Sequence, residues 1–196
     1  MVGLTVVGGP ESIDPKASDY RALAQKIRAT GPDLVYFGGT AENNAGKLWQ
    51  DLRATLDPSV KLMGPDGIYG PAFLAGAGSA AEETFVTFGG LPARSLSGRG
   101  ADWYVRYKQR HGEEPYAYTA YGYEIARVAL DAIQRAGRKD RTAIRDALFA
   151  TRDYDGVLGR WSFTDTGDTT LSAMSGRQVK NGSYDDANAV LLQVPD

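Results

Sequence analysis

Asp66 is the side chain whose chemistry is plainest, a lone carboxylate in the run Leu62-Met63-Gly64-Pro65-Asp66-Gly67. Proline stiffens such a turn and glycine breaks it, so the carboxylate is presented by a defined loop and suits recognition of a cation. Pro-Asp-Gly is also a common turn sequence, and a plain turn is the competing reading. A second strand end, in Asp33-Leu34-Val35-Tyr36-Phe37-Gly38-Gly39-Thr40, offers small residues past which a ligand can approach the main chain. In open α/β sheets ligands sit beyond the carboxyl ends of strands. Thr40 accordingly reads either as a cleft contact or as a helix N-cap before Asn43. Tyr69, just after the acidic turn, reads as part of the cleft rim.

Other chemistries find no support. There is one histidine and no cysteine, which removes disulfides, thiolate nucleophiles and thiolate metal sites. A zinc site would need mostly carboxylates, and no such cluster appears. His111 sits at a helix end, where a cation meets the C-terminal dipole. No Gly-x-Ser-x-Gly elbow occurs, and Gly8-Gly9 and Gly38-Gly39 make neither a phosphate loop nor a dinucleotide fingerprint. No catalytic residue, metal ligand or cofactor is assigned, and the chain does not read as an enzyme. With 22 Lys plus Arg against 24 Asp plus Glu, its net charge of -2 provides no field for nucleic acid or anionic lipid. No apolar run approaches a membrane span, and Met1-Val2-Gly3-Leu4 has neither the basic nor the apolar region of a secretory signal.

The elements that must position these residues follow from periodicity. Leu4 to Val7 reads as a strand, Tyr20, Leu23, Ala24 and Ile27 as a helix capped near Ser18 and stopped by Gly31, and Leu34 to Phe37 as a buried strand. Ala45, Leu48, Trp49 and Leu52 mark a second helix before the strand Val60 to Met63; a short helix near Phe73 and a strand Thr84 to Phe88 follow. Strands alternating with helices predict a parallel sheet with right-handed crossovers. Residues 93–100 read as a linker. Three helices then follow without an interleaved strand, marked by Trp103 and Tyr107, by Tyr121 to Ile133, and by Ile144 to Phe149. Their apolar faces require a sheet that this segment does not supply. The alternating run Gly156 to Phe163 restores β character, and Leu171 to Val179 and Ala189 to Val194 are expected to pair around Asn181-Gly182.

The motifs Tyr36-Phe37-Gly38-Gly39, Met63-Gly64-Pro65-Asp66-Gly67, Ala81-Glu82-Glu83-Thr84-Phe85-Val86-Thr87, Pro115-Tyr116-Ala117-Tyr118-Thr119-Ala120-Tyr121 and Gly159-Arg160-Trp161-Ser162-Phe163, in that order, resemble the leucine/isoleucine/valine-binding protein family. These are substrate-binding components of ABC importers with the type I periplasmic-binding-protein fold. The resemblance implies an α/β chain that is mainly a second lobe, with a parallel sheet flanked by helices, plus helices of an incomplete first lobe. Residues 1–91 would form the second-lobe segment, 92–168 the helical segment belonging to the first lobe, and 169–196 the return strands. The opening sheet of the first lobe would be absent and the true N-terminus would lie upstream.

Function is implied in the same way. An amino acid, branched-chain or otherwise small, would be held in a cleft between two lobes and delivered to a membrane permease. Asp66 would pair with its α-ammonium, although the family's commoner residue there is Glu. Thr40 would stand where an aromatic often lines the pocket, and Tyr116 would match an aromatic that packs on the ligand. Both Tyr116 and Tyr118 also read as structural anchors for the helix after Thr119. The resemblance implies a periplasmic or lipid-anchored extracellular location, and a homodimer covering the missing lobe is a further expectation. The alternative function is a cytoplasmic amide- or amino-acid-sensing regulator of the same fold.

Overall fold

The computed structural model describes residues 3–192. In chain order the helices are α1 (Arg21–Ala29), α2 (Ala45–Thr55), α3 (Pro71–Ala77), α4 (Arg99–His111), α5 (Thr119–Ala136) and α6 (Arg141–Phe149). The strands are β1 (Leu34–Tyr36), β2 (Lys61–Gly64), β3 (Phe85–Phe88), β4 (Tyr154–Gly156), β5 (Gly159–Trp161), β6 (Met174–Lys180), β7 (Ser183–Tyr184) and β8 (Val190–Leu192). They form two compact units, the first holding the described residues up to Gly89 together with Ser175–Leu192, the second Gly90–Met174.

Unit 1 is a mixed α/β layer structure. β1, β2 and β3 are parallel and adjacent, with Tyr36 opposite Met63 and Met63 opposite Phe85. β6 then runs antiparallel to β3 and pairs with both β7 and β8. The helical crossovers follow from alternating periodicity, and their apolar faces meet the sheet around Trp49, Leu52, Leu62, Phe73 and Val86. Trp49 makes edge contacts with Phe37 at 5.7 Å and Phe73 at 5.0 Å, while its buried indole N–H donates to Thr84 Oγ1 at 2.7 Å. A buried indole needs such an acceptor, because an unpaired polar group loses its hydration without return. α2 and α3 approach so closely that a Cβ on Gly46 would lie 2.5 Å from the Gly76 carbonyl carbon.

Several expectations are corrected. Leu4 to Val7 forms no strand, and Leu4 and Val6 are each 86% exposed. β propensity needs cross-strand neighbours to act on, and the described sheet offers this segment none. β1 is an edge strand, not a buried one, so Leu34 and Tyr36 are exposed while Val35 packs on the core. The first helix begins at Arg21, whose N–H donates to the Asp19 carboxylate at 2.7 Å, and Ser18 is not its cap. The supposed linker carries a 3-10 helix at Ala93–Ser95, and α4 already starts at Arg99. Gly100 is there because a Cβ would meet the Val157 carbonyl oxygen at 2.3 Å, not because the chain must flex. The run from Gly156 to Phe163 reverses direction, so β4 and β5 form a hairpin. β6 ends at the predicted Asn181-Gly182 turn, where both residues have positive φ, and β8 covers Val190 to Leu192; Gln193 and Val194 lie outside the described residues.

In unit 2 α5 holds the β4–β5 hairpin through one buried carboxylate. Glu124 of α5 is 2% exposed and accepts from the Val157 N–H at 2.9 Å, the Leu158 N–H at 3.4 Å and the Trp161 indole N–H at 2.9 Å. Gly156 leaves room for it, since a Cβ would fall 1.8 Å from Glu124 Oε1. α5 buries only Ala120, Glu124, Val128 and Ala132, one helical stripe, and leaves Ile125, Leu130 and Ile133 exposed. No helix among the described residues is long and apolar enough to cross a membrane. Replacing Glu124 by Gln turns an amide NH2 toward backbone donors and orphans at least one of them. We expect Glu124→Gln to cost about 1–3 kcal/mol in a urea unfolding titration, with hairpin amides losing exchange protection first.

Candidate functional site

The parallel register brings the ends of β1 and β2 level. The Phe37 N–H donates to the Met63 carbonyl at 2.9 Å, so the Gly38-Gly39-Thr40 turn and the Pro65-Asp66-Gly67 turn emerge side by side. They pack tightly: a Cβ on Gly67 would lie 2.6 Å from the Gly39 carbonyl oxygen and 3.1 Å from Thr40 Cγ2. Asp66 opens a 3-10 helix over Asp66–Ile68, is partly buried, and its carbonyl accepts from the Tyr69 N–H at 2.8 Å. Thr40 is exposed and caps the 3-10 helix Ala41–Asn43, with the Asn43 side-chain oxygen accepting from the Thr40 N–H at 2.9 Å and from its hydroxyl at 3.2 Å. The same hydroxyl holds the Glu42 carboxyl below its ordinary range.

Tyr69 takes a more constrained position. Its hydroxyl donates to the Asp186 carboxylate, with both oxygens 2.7 Å away, and its ring packs edge-on against Tyr184 at 4.6 Å and Phe88 at 5.7 Å. The Arg177 guanidinium lies 4.2 Å from its ring centroid. Burial and then the Asp186 hydrogen bond push the phenol well above its ordinary value of 10.0. Its polar atom is thus already used, and ring surface is what it has left to offer. Tyr116 belongs to unit 2, between α4 and α5, and is 58% exposed with its carbonyl accepting from the Thr119 N–H. Thr40, Asp66 and Tyr69 therefore share unit 1. Among the described residues no group of carboxylates and His111 is placed to hold a metal ion.

Sequence reasoning missed Arg177, Tyr184 and Asp186. One signal was available: in β6 Ser175, Arg177 and Val179 occupy alternate inward positions, so an arginine stands where the period calls for an apolar residue. Asp186 could not have been found this way, because it reaches Tyr69 across 117 residues of sequence.

The family described as periplasmic binding protein matches residues 2–184. The chain belongs to that family. Its curated relatives include a Leu/Ile/Val-binding protein homolog 2 from Brucella abortus, 30% identical over 179 residues, which cover 89% of this chain and 46% of the relative. The chain thus spans about half the length of the curated relatives it matches. Among solved structures, a leucine-binding protein, LivK, from Thermotoga maritima superposes with a TM-score of 0.76 at 28% identity, over 87% of this chain and 48% of that one. The LivJ substrate-binding protein of Streptococcus pneumoniae, in complex with isoleucine, shares the fold at a TM-score of 0.74 and 24% identity, over 90% of this chain and 49% of that one. The family's type I fold, with parallel strands flanked by helices, is the one unit 1 displays in β1, β2 and β3.

Two outcomes follow from the packing of this turn. Gly67→Ala must displace the Gly39 carbonyl, and we expect it to lower the urea midpoint by an amount equivalent to about 1–3 kcal/mol. The Tyr69 phenol keeps its proton in the fold at pH values where the unfolded phenol has lost it. Its contribution is fully present below pH 10.0 and declines as the pH rises toward the raised folded value. The stability advantage of the native chain over Tyr69→Phe should therefore hold up to about pH 10 and narrow progressively above it in paired denaturant titrations.

Proposed function

We propose that this chain carries part of the substrate-binding component of an ABC importer for branched-chain or other small amino acids, and that it is not an enzyme. The observation that carries the proposal is the pairing of the Asp66 turn with the Gly39-Thr40 turn at the carboxyl ends of adjacent parallel strands, in a chain of the periplasmic binding protein family. The naming of the 30%-identical relative for leucine, isoleucine and valine supports the choice of ligand class. Asp66 meets the ligand's α-ammonium, because a cation removed from water needs a carboxylate close by. Thr40 lines the site with a small polar side chain, and Tyr69 contributes ring surface at the rim. The whole protein works in the periplasm or anchored outside the cell, where it hands ligand to a membrane permease. The exposed Ile125, Leu130 and Ile133 of α5 support a second copy covering that helix when the chain stands alone.

Titration calorimetry with leucine, valine, a polar amino acid and a simple amide tests this reading. Saturable heat with one α-amino acid is expected, and Asp66→Ala should remove about 3 to 5 kcal/mol of binding, a loss of roughly a hundred- to several-thousand-fold in affinity. Saturation by the amide alone would favour the sensing regulator. Heat from none of them would overturn the claim that this chain binds the ligand by itself.

A further inference from the structure

Arg177 is a cation at an inward position of a core strand. Its side chain is 0% exposed, yet only Nη2 makes a hydrogen bond, donating to Ser175 Oγ at 2.7 Å. Nε lies 3.2 Å from Asp186 Oδ1, an ion-pair distance without hydrogen-bond geometry, and neither Nε nor Nη1 has a hydrogen-bond partner among the described residues. Burying a guanidinium so incompletely paired does not favour folding over an apolar side chain of similar volume. What Arg177 does have is planar contact: its guanidinium carbon sits 4.2 Å from the Tyr69 ring centroid and 5.2 Å from that of Phe88. A flat cation lying on a ring fixes that ring's plane, which lysine's rounded ammonium does less well.

Three of these four contacts, with Phe88, Ser175 and Tyr69, join separate places in the chain. Phe88 is the last residue of β3, immediately before the chain leaves unit 1, and Ser175 is where it returns. Tyr69 closes the Asp66–Ile68 turn through its N–H on the Asp66 carbonyl. The neighbouring Tyr184 hydroxyl accepts from the Gly70 N–H at 3.0 Å and bonds the Ile68 carbonyl, so the C-terminal strands grip both sides of Tyr69. We propose that Arg177 is a positioning residue that holds the Asp66–Gly70 turn, through Tyr69, against the two strand ends by which the chain leaves and re-enters unit 1. The proposal rests on the ligand reading of Asp66 only for its functional meaning; the mechanical link stands apart from it.

The test is site-resolved amide hydrogen exchange on the full chain, comparing wild type with Arg177→Met, alongside thermal melting and calorimetry with leucine and valine. The expected result is an unchanged melting temperature, with exchange roughly tenfold faster at Tyr69 and Gly70 while Leu48 and Leu56 of the α2 region are unaffected. Arg177→Lys keeps the charge, loses the planar stack and should fall between the two; if Arg177→Met does not fold, this variant is read by the same criterion. Unchanged exchange at Tyr69 and Gly70, or acceleration spread equally over α2, would overturn the proposal and leave Arg177 a general stability residue. Faster exchange confined to the turn, with no amino acid bound by any variant, would uphold the positioning role and overturn the claim that this chain binds the ligand by itself.

Discussion

Everything at the candidate site depends on the parallel register of β1 and β2. Because Tyr36 stands opposite Met63, both strands end at the same level, and two turns far apart in sequence are forced together. Parallel strands need long crossovers, here α2, and the crossover's apolar face is what ties the pair to the core. The glycines at 39 and 67 then act sterically, since the Gly67 site tolerates no Cβ against the Gly39 carbonyl. The turn that carries Asp66 is thereby placed by the backbone, before any ligand is considered.

The two units solve the problem of buried polarity differently. In unit 2 Glu124 is met by two backbone N–H groups and an indole N–H, so hydrogen bonds from the hairpin satisfy a buried carboxylate. In unit 1 Arg177 and Asp186 form an ion pair that leaves part of the guanidinium unsatisfied, with aromatic faces taking up the remainder. A fully satisfied carboxylate is a stability device. A partly satisfied guanidinium beside the candidate ligand turn fits a geometric role better, because its stabilising return is small.

α5 places its side chains against the usual pattern of a surface helix. Its buried stripe is made of alanines, a valine and Glu124, while the larger Ile125, Leu130 and Ile133 face outward. A surface helix of an isolated domain places its bulky apolar residues the other way round.

Periodicity alone was enough for the alternation of strand and helix from β1 through α2, β2 and α3 to β3, the three successive helices of unit 2, and the Asn181-Gly182 turn, because these are local consequences of side-chain spacing and turn chemistry. The Pro65-Asp66-Gly67 turn and the Gly38-Gly39-Thr40 strand end were legible for the same reason. Burial was not: Leu4 to Val7 and β1 carry core-like residues, but their exposure is set by which strands stand beside them. Nor could the sequence reveal that the Tyr69 hydroxyl is committed to Asp186, or that Gly100 serves close packing rather than a linker. Those facts arise from contacts between residues distant in the chain, and only the folded arrangement brings their atoms within hydrogen-bond or van der Waals range.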